Sequence, residues 1–264
     1  MIQRLRFAWA YRDFVMSSIL NEQRIRFAGS KLGGVWMLLH PLLEVSMYAL
    51  ILSSLMASRL KGLSGPFSYA IYLTAGSMAW SLFSEIINRC LSVFTANAHL
   101  LKKISFPAMC LPLIISGSAL VSNLLLLAAV TAIFGLVGHL PSLQMLFVPL
   151  LIVATLTLAL GIGLILGTLN VFMRDIGQIM PVVLQFAFWF TPIVYPIDVI
   201  PQPYRWIYQF NPMFQIVSAY QDVLVFHRMP ALSGVLVVLL VGIVLITLAV
   251  LLYSRAKPEI VDML

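Results

Sequence analysis

Between Leu143 and Phe172 the chain reads LQMLFVPLLIVATLTLALGIGLILGTLNVF, without a single Asp, Glu, Lys or Arg. Crossing the hydrocarbon core of a bilayer takes a helix of about 20 apolar residues. In that medium the backbone must satisfy its own polar groups, which a helix does within one segment. This run therefore predicts a transmembrane helix. Working outward from it, five further segments have the same character, at roughly 33–57, 67–93, 106–136, 177–197 and 232–253. The expected fold is an all-α integral membrane domain of six spans over 33–253. A segment 1–32 precedes it and a tail 254–264 follows. The runs at 106–136 and 143–172 are long enough that tilt, or extension past the bilayer, is expected.

Composition agrees. Of 264 residues, 61% are hydrophobic and 9% charged, and the mean hydropathy is +1.02. A soluble domain does not bury such a share, and the polar remainder is too small for a sizeable aqueous domain. The two cysteines, Cys90 and Cys110, make neither a disulfide framework nor a metal cluster. The start, MIQRLRFAWAYRDFV, is basic, but Arg12 and Asp13 interrupt its apolar run before a signal-peptide core forms. The N-terminus is expected to stay.

Charge sets the orientation. With both termini in the cytoplasm, that side carries twelve cations: Arg4, Arg6, Arg12, Arg24, Arg26, Lys31, Arg89, Lys102, Lys103, Arg174, Arg255 and Lys257. The other side carries four, Arg59, Lys61, Arg205 and Arg228. Twelve plus four accounts for all 16 Lys and Arg and follows the positive-inside rule. The net charge of +7 is then a topology signal rather than a nucleic-acid footprint.

The loops have structure of their own. YRDFVMSSILNEQRIRFAGSKLG, ahead of the first span, places Phe14, Ile25 and Phe27 among charges and reads as an interfacial amphipathic helix. It serves as an anchor or as a docking surface. TANAHLLKKISFPAMCLP predicts a short helix lying across the membrane surface, with Pro107 and Pro112 opening the next span. Ile197 to Pro230 is too polar to span and too aromatic for a floppy loop. It predicts two short amphipathic helices on the outer face, parted at Asn211-Pro212, with the character of a lid or re-entrant hairpin.

Catalytic motifs are missing. There is no GxxxxGK[ST] phosphate loop, HExxH, CxxC or GxSxG. His40, His99, His139 and His227 lie on separate segments and suggest no metal site. Inside the spans, His40 and Glu44, and likewise Glu85 and Arg89, stand at i, i+4 and share a helix face. The first pair marks either packing or a polar patch on a path, and the second an internal ion pair. Asn123 and Gln185 suit interhelical hydrogen bonds, and Gly163 with Gly167 permits close helix contact.

Most unusual is QFAFWFTPIVYP, Gln185 to Pro196, with Phe186, Phe188, Trp189, Phe190 and Tyr195 beside an amide and two prolines. Rings stack on sugar faces and tolerate sliding, while amides and hydroxyls exchange hydrogen bonds. A path for a sugar polymer would be lined by Tyr48, Tyr72, Trp80, Gln185, Phe186, Trp189, Phe190 and Tyr195. Pro181 and Pro192 are expected to kink this segment.

As a set these residues resemble the permease subunit of ABC-2 type exporters, in the O-antigen and capsular polysaccharide branch. Leu166 to Pro201 carries the likeness best, with Arg174-Asp175, then Gln185, Phe188-Trp189-Phe190 and Thr191-Pro192-Ile193. RIRFAGSKLGGVWMLLHPLLE, NAHLLKKISFPAMCLPLI and YRWIYQFNPM fit in order, so the likeness spans nearly the whole chain. The resemblance implies a homodimer in the bacterial inner membrane, with two separate ATP-binding subunits holding ATP and Mg. It implies export of an undecaprenyl-linked polysaccharide, with no cofactor and no enzymatic activity in this chain. Coupling to the ATPase would fall to Arg24, Arg26, Asn97, His99, Leu100, Leu101, Lys102 and Lys103. Gating or structural roles would fall to Arg174, Asp175, Pro192, Trp206, Asn211 and Pro212. The rivals are an ABC-2 permease for teichoic acid, another lipid or a drug, a membrane-embedded transferase on lipid-linked sugars, and a channel or scaffold without a motor.

Overall fold

The structure, a computed structural model, describes residues 11–27, 35–36, 39, 42–43, 46–48, 50–51, 67–102, 108 and 110–263, apart from the side chains of 26, 27, 261 and 262. The expectations for Lys31, His40, Glu44, Lys103, Pro107 and most of the segment 33–57 lie outside the described residues.

Among the described residues all regular structure is helical. The elements are α1 (Arg12–Phe27), α2 (Ser68–Leu91), α3 (Val93–Ala96), α4 (Ala98–Leu101), α5 (Cys110–Leu136), α6 (Val148–Phe172), α7 (Asp175–Phe190), α8 (Arg205–Gln209), α9 (Pro212–Leu224) and α10 (Leu232–Met263). Short 3₁₀ turns occupy Leu143–Phe147, Ile197–Val199 and Gln202–Tyr204. Among the described residues four stretches are long and apolar enough to cross a membrane: Ser68–Leu91, Cys110–Leu136, Leu143–Phe172 and Leu232–Ile260.

The segment expected to span at 177–197 differs. Its helix, α7, stops at Phe190 after 16 residues, about 24 Å at 1.5 Å per residue. That is less than the roughly 30 Å of bilayer hydrocarbon. The cause is local. Pro192 crowds the residue before it, and Thr191 sits at φ −95°, ψ 130°, outside the helical region. Pro181, by contrast, is carried inside α7. At the other end of the chain, α10 runs without a break through Pro258 to Met263, so the segment read as a tail begins as helix.

α6 is the centre of the bundle, packed along α10 on one side and α2 on the other. Glycines set the distances. A Cβ on Gly161 would lie 2.5 Å from Leu245 Cβ, and one on Gly242 would lie 2.7 Å from the Leu158 nitrogen. A Cβ on Gly167 would lie 2.2 Å from the Cys90 carbonyl oxygen. The small-residue spacing at Gly163 and Gly167 is thus consumed within the chain, against α2. α1 lies on α5, with Ile19 buried and the Gln23 amide donating to Ser118 O at 3.0 Å and Ser118 Oγ at 2.9 Å. Arg89 of α2 pairs with Glu22 of α1 as well as with Glu85 at 3.6 Å. The expected i, i+4 pair is therefore one half of a bridge that fastens α1 to the bundle.

The stretch after α7 forms two helices, α8 and α9, parted at Asn211. The Asn211 side chain caps α9 by accepting from the Met213 N–H at 3.0 Å, with Pro212 in the first turn. α9 is no surface lid. Met213, Ile216, Val217, Tyr220 and Val223 are buried against α2, α6 and α10.

Candidate functional site

α7 is held loosely for so apolar a helix. Leu184 and Phe188 are buried, while Ile179, Val182, Val183, Phe186 and Phe190 form an exposed stripe at helical spacing. Beside that stripe, between α7 and α2, runs a groove of about 310 Å³. From α2 come Ser77, Trp80, Ser81 and Ser84, and from α7 come Pro181, Leu184, Gln185, Phe188 and Trp189, with Tyr48 at the edge. Both sets follow the three- and four-residue spacing that brings side chains to one helix face.

Phe188 is the hub of the rings. It packs edge-on against Trp80 at 5.7 Å between centroids, stacks on Tyr48 at 6.3 Å, and meets Trp189 at 5.8 Å. Tyr48 and Trp189 are perpendicular at 6.1 Å. Such arrangements follow the quadrupoles of the rings. Among the described residues no charged side chain lines the groove. Its described lining offers ring faces, one amide, three serine hydroxyls and the Tyr48 hydroxyl: a surface suited to a neutral, hydroxyl-rich ligand. Among the described residues no group of three or more His, Cys, Asp or Glu is placed to hold a metal.

Of the eight residues expected on the path, Tyr48, Trp80, Gln185 and Trp189 converge on the groove. Phe186 and Phe190 point away, 66% and 68% exposed on the outer stripe. Tyr72 is buried, edge-on to Phe226, and Tyr195 lies beneath the end of α7, where its hydroxyl donates to Trp189 O at 2.7 Å. Phe188, named in the ring cluster but not among the eight, also lines the groove, as do the serines 77, 81 and 84, which were not singled out from sequence. The signal was present in the i, i+4, i+7 spacing of the serines around Trp80.

The non-helical stretch Thr191 to Pro196 follows α7. Its carbonyls are met by side chains. Tyr69 Oη donates to Val194 O at 2.7 Å, Gln221 Nε2 to Pro192 O at 3.5 Å and Tyr72 Oη to Tyr195 O at 3.5 Å. Asn211 Nδ2 donates to Thr191 Oγ1 at 3.1 Å, joining the α9 cap to the end of α7. This is how irregular backbone is tolerated away from water. Pro212 opens α9, and Trp206 is exposed beside Phe210. At the same end, His139 Nε2 donates to Leu224 O at 2.8 Å, and its ring stacks on His227 at 4.5 Å. Burial, then His139, pushes His227 below the ordinary imidazole range. Burial raises the Asp222 carboxyl, with Arg228 opposing.

The opposite end holds the residues expected to face an ATPase. A cleft of about 370 Å³ opens between α1, the end of α2, α3–α4 and α5. Asn97 and Leu100 line it with Phe14, Glu22 and Arg89. Asn97 Nδ2 is turned back onto Val93 O at 2.9 Å. Arg24, His99 and Lys102 are exposed, Leu101 is half-buried, and Arg26 lies on α1. Arg174 and Asp175 form the exposed turn into α7, where Asp175 favours the helix N-terminus. Asn170, not anticipated from sequence, reaches across to that turn.

A bundle of bilayer-length apolar helices with an aromatic groove between two of them defines a polytopic membrane protein. The chain belongs to the ABC-2 type transporter family, matching it over residues 15–225. It is 26% identical, over 99% of both chains, to a protein of Myxococcus xanthus named O-antigen export system permease protein RfbA. A Klebsiella pneumoniae protein of the same name is 25% identical over 96% of this chain and 95% of its own. An Escherichia coli protein named polysialic acid transport protein KpsM is 26% identical over 77% of this chain and 78% of its own.

Proposed function

We propose that this chain is the permease subunit of an exporter in the bacterial inner membrane, one that moves undecaprenyl-linked polysaccharide of the O-antigen type from the cytoplasmic to the periplasmic side. ATP hydrolysis occurs on a separate subunit that holds ATP and Mg. The observation that carries the reading is the groove between α2 and α7, where rings and serine hydroxyls meet with no charge among the described residues. The names of the M. xanthus and K. pneumoniae relatives, both O-antigen export permeases, support the same substrate class.

The functional unit is a homodimer with two ATPase subunits. The open side of the groove and the exposed stripe of α7 are covered by a second copy, which completes the wall of the path. Six spans cross the membrane, with α7 and the helical residues within 35–51 completing the four long ones, and both termini are cytoplasmic. α8 and α9 stand at the periplasmic end as gate elements. The ATPase docks at the cleft between α1 and α3–α4, against Arg24, Arg26, His99 and Lys102.

Complementation tests this reading. In a strain lacking the permease, the native chain restores surface polysaccharide, and Trp189→Ala reduces it while the ATPase still co-purifies. Normal surface polysaccharide in Trp189→Ala cells would count against the ring-lined path.

A further inference from the structure

We propose that Asn170 is the positioning residue through which movement of the Ser92–Lys102 segment reaches the aromatic helix α7. Asn170 lies near the end of α6 and is 8% exposed. Its Nδ2 donates to Leu91 O at 2.8 Å, and its Oδ1 accepts from the Gly177 N–H at 2.7 Å. Leu91 is the last residue of α2, immediately before Ser92. Gly177 lies in the first turn of α7.

The chemistry of the joint is specific. The last carbonyls of a helix and its first N–H groups have no partner within the helix. Asn170 supplies one of each, to two different helices at once. An amide carries both a donor and an acceptor on one short planar group. The fit is tight on both sides. A Cβ on Gly177 would lie 2.9 Å from Asn170 Oδ1, and Gly167 holds the Cys90 carbonyl against α6 one turn away. The end of α2 therefore has little freedom to slide along α6. α7 has few other buried anchors, Leu184 and Phe188. A displacement that starts at Ser92 is passed to α7 through this side chain, and from α7 to Gln185, Phe188 and Trp189 in the groove.

The inference rests on the exporter reading, in which Ser92–Lys102 receives the ATPase. Its test uses the full complex of permease and ATPase. Gln178→Cys places a thiol on the exposed first turn of α7, while the native Cys90 and Cys110 are buried and unreactive to a water-soluble maleimide. Asn170→Asp keeps the acceptor for Gly177 and sets an oxygen against Leu91 O. Asn170→Ala removes both bonds, and Gly177→Ala crowds the amide from the other side.

With native Asn170, a non-hydrolysable ATP analogue is expected to change the labelling rate at position 178. In all three variants that change is lost while the ATPase still co-purifies. Persistence of the change in Asn170→Asp overturns the proposal, as does its absence in the native complex with ATPase bound. Loss of ATPase binding in every variant makes Asn170 a folding residue and overturns it too. If the native chain binds no ATPase, the exporter reading itself falls, and the joint with it.

Discussion

The Tyr69 hydroxyl donates to the Val194 carbonyl at 2.7 Å, linking the first turn of α2 to a stretch with no helical bonds of its own. Both residues are buried, Tyr69 at 1% and Val194 at 3% exposure. Tyr69→Phe keeps the ring and strands the carbonyl. The expected cost is about 1–2 kcal/mol, the range for a buried group left unpaired. Thermal unfolding of the detergent-solubilised protein reads it as a lowered midpoint. An unchanged midpoint would mean that the turn is held by packing alone.

The groove discriminates between rings only a residue apart. Trp189→Ala removes a ring that faces the groove, losing about 1 kcal/mol of ring contact, about fivefold in affinity. Phe190→Ala removes a ring 68% exposed on the other face. Export measured as surface polysaccharide is expected to fall with the first and to hold with the second, provided the dimer is intact. Ser84→Trp, which fills the groove from the α2 side, is expected to abolish export without releasing the ATPase. Wild-type export in Ser84→Trp would place the path elsewhere.

Arg89 fastens α1 through Glu22 and is 20% exposed, against 34% for its partner. Arg89→Leu leaves the Glu22 and Glu85 carboxylates without their shared cation beside the cleft. The expected cost is on the order of 1–2 kcal/mol, below that of breaking a fully buried pair. Limited proteolysis is the measurement, with faster cleavage in the α1 segment than in the native protein. Equal rates would assign α1 to the membrane surface rather than to the bundle.

His227 predicts acid sensitivity. The His227 imidazole is pushed down by burial and by its neighbour, so the unfolded chain takes up the proton more readily than the folded one. Stability from this residue is therefore full above the unfolded value of about 6.5 and lost as the pH falls below it. Asp222, whose carboxyl is raised, works in the opposite sense at lower pH. His227 also sits at φ 51°, a left-handed conformation that Asn tolerates well. His227→Asn should flatten the fall in melting temperature between about pH 7.5 and about pH 5.5. A slope as steep as that of the native protein would show that His227 is not its source.

How much of this was legible in the sequence depended on what each residue needed to declare itself. The long spans announce themselves because water alone dictates them: Leu143 to Phe172 has no charge to place anywhere else. Arg89 was readable as half of an ion pair with Glu85, but Glu22 is distant in sequence and its approach is a tertiary fact. The end of α7 was misplaced at 197 because hydropathy continues through Ile193 and Val194, whereas Pro192 had already stopped the helix. Asn170 looks ordinary in sequence, and its meaning lies in two helix ends that the fold brings to it. The rings of Gln185 to Tyr195 were legible as a cluster. Which of them face inward is fixed by the helix turn, so Trp189 and Phe190 part company although adjacent.

The most direct test of the central claim is translocation in proteoliposomes. The chain is reconstituted with its ATPase, and undecaprenyl-linked polysaccharide extracted from the host is supplied on the side where the ATPase binds. The account predicts ATP-dependent appearance of the glycan on the opposite leaflet with both proteins and none with the permease alone. Transfer by the permease without an ATPase, or failure of the assembled pair to move the glycan when ATP is hydrolysed, would contradict it.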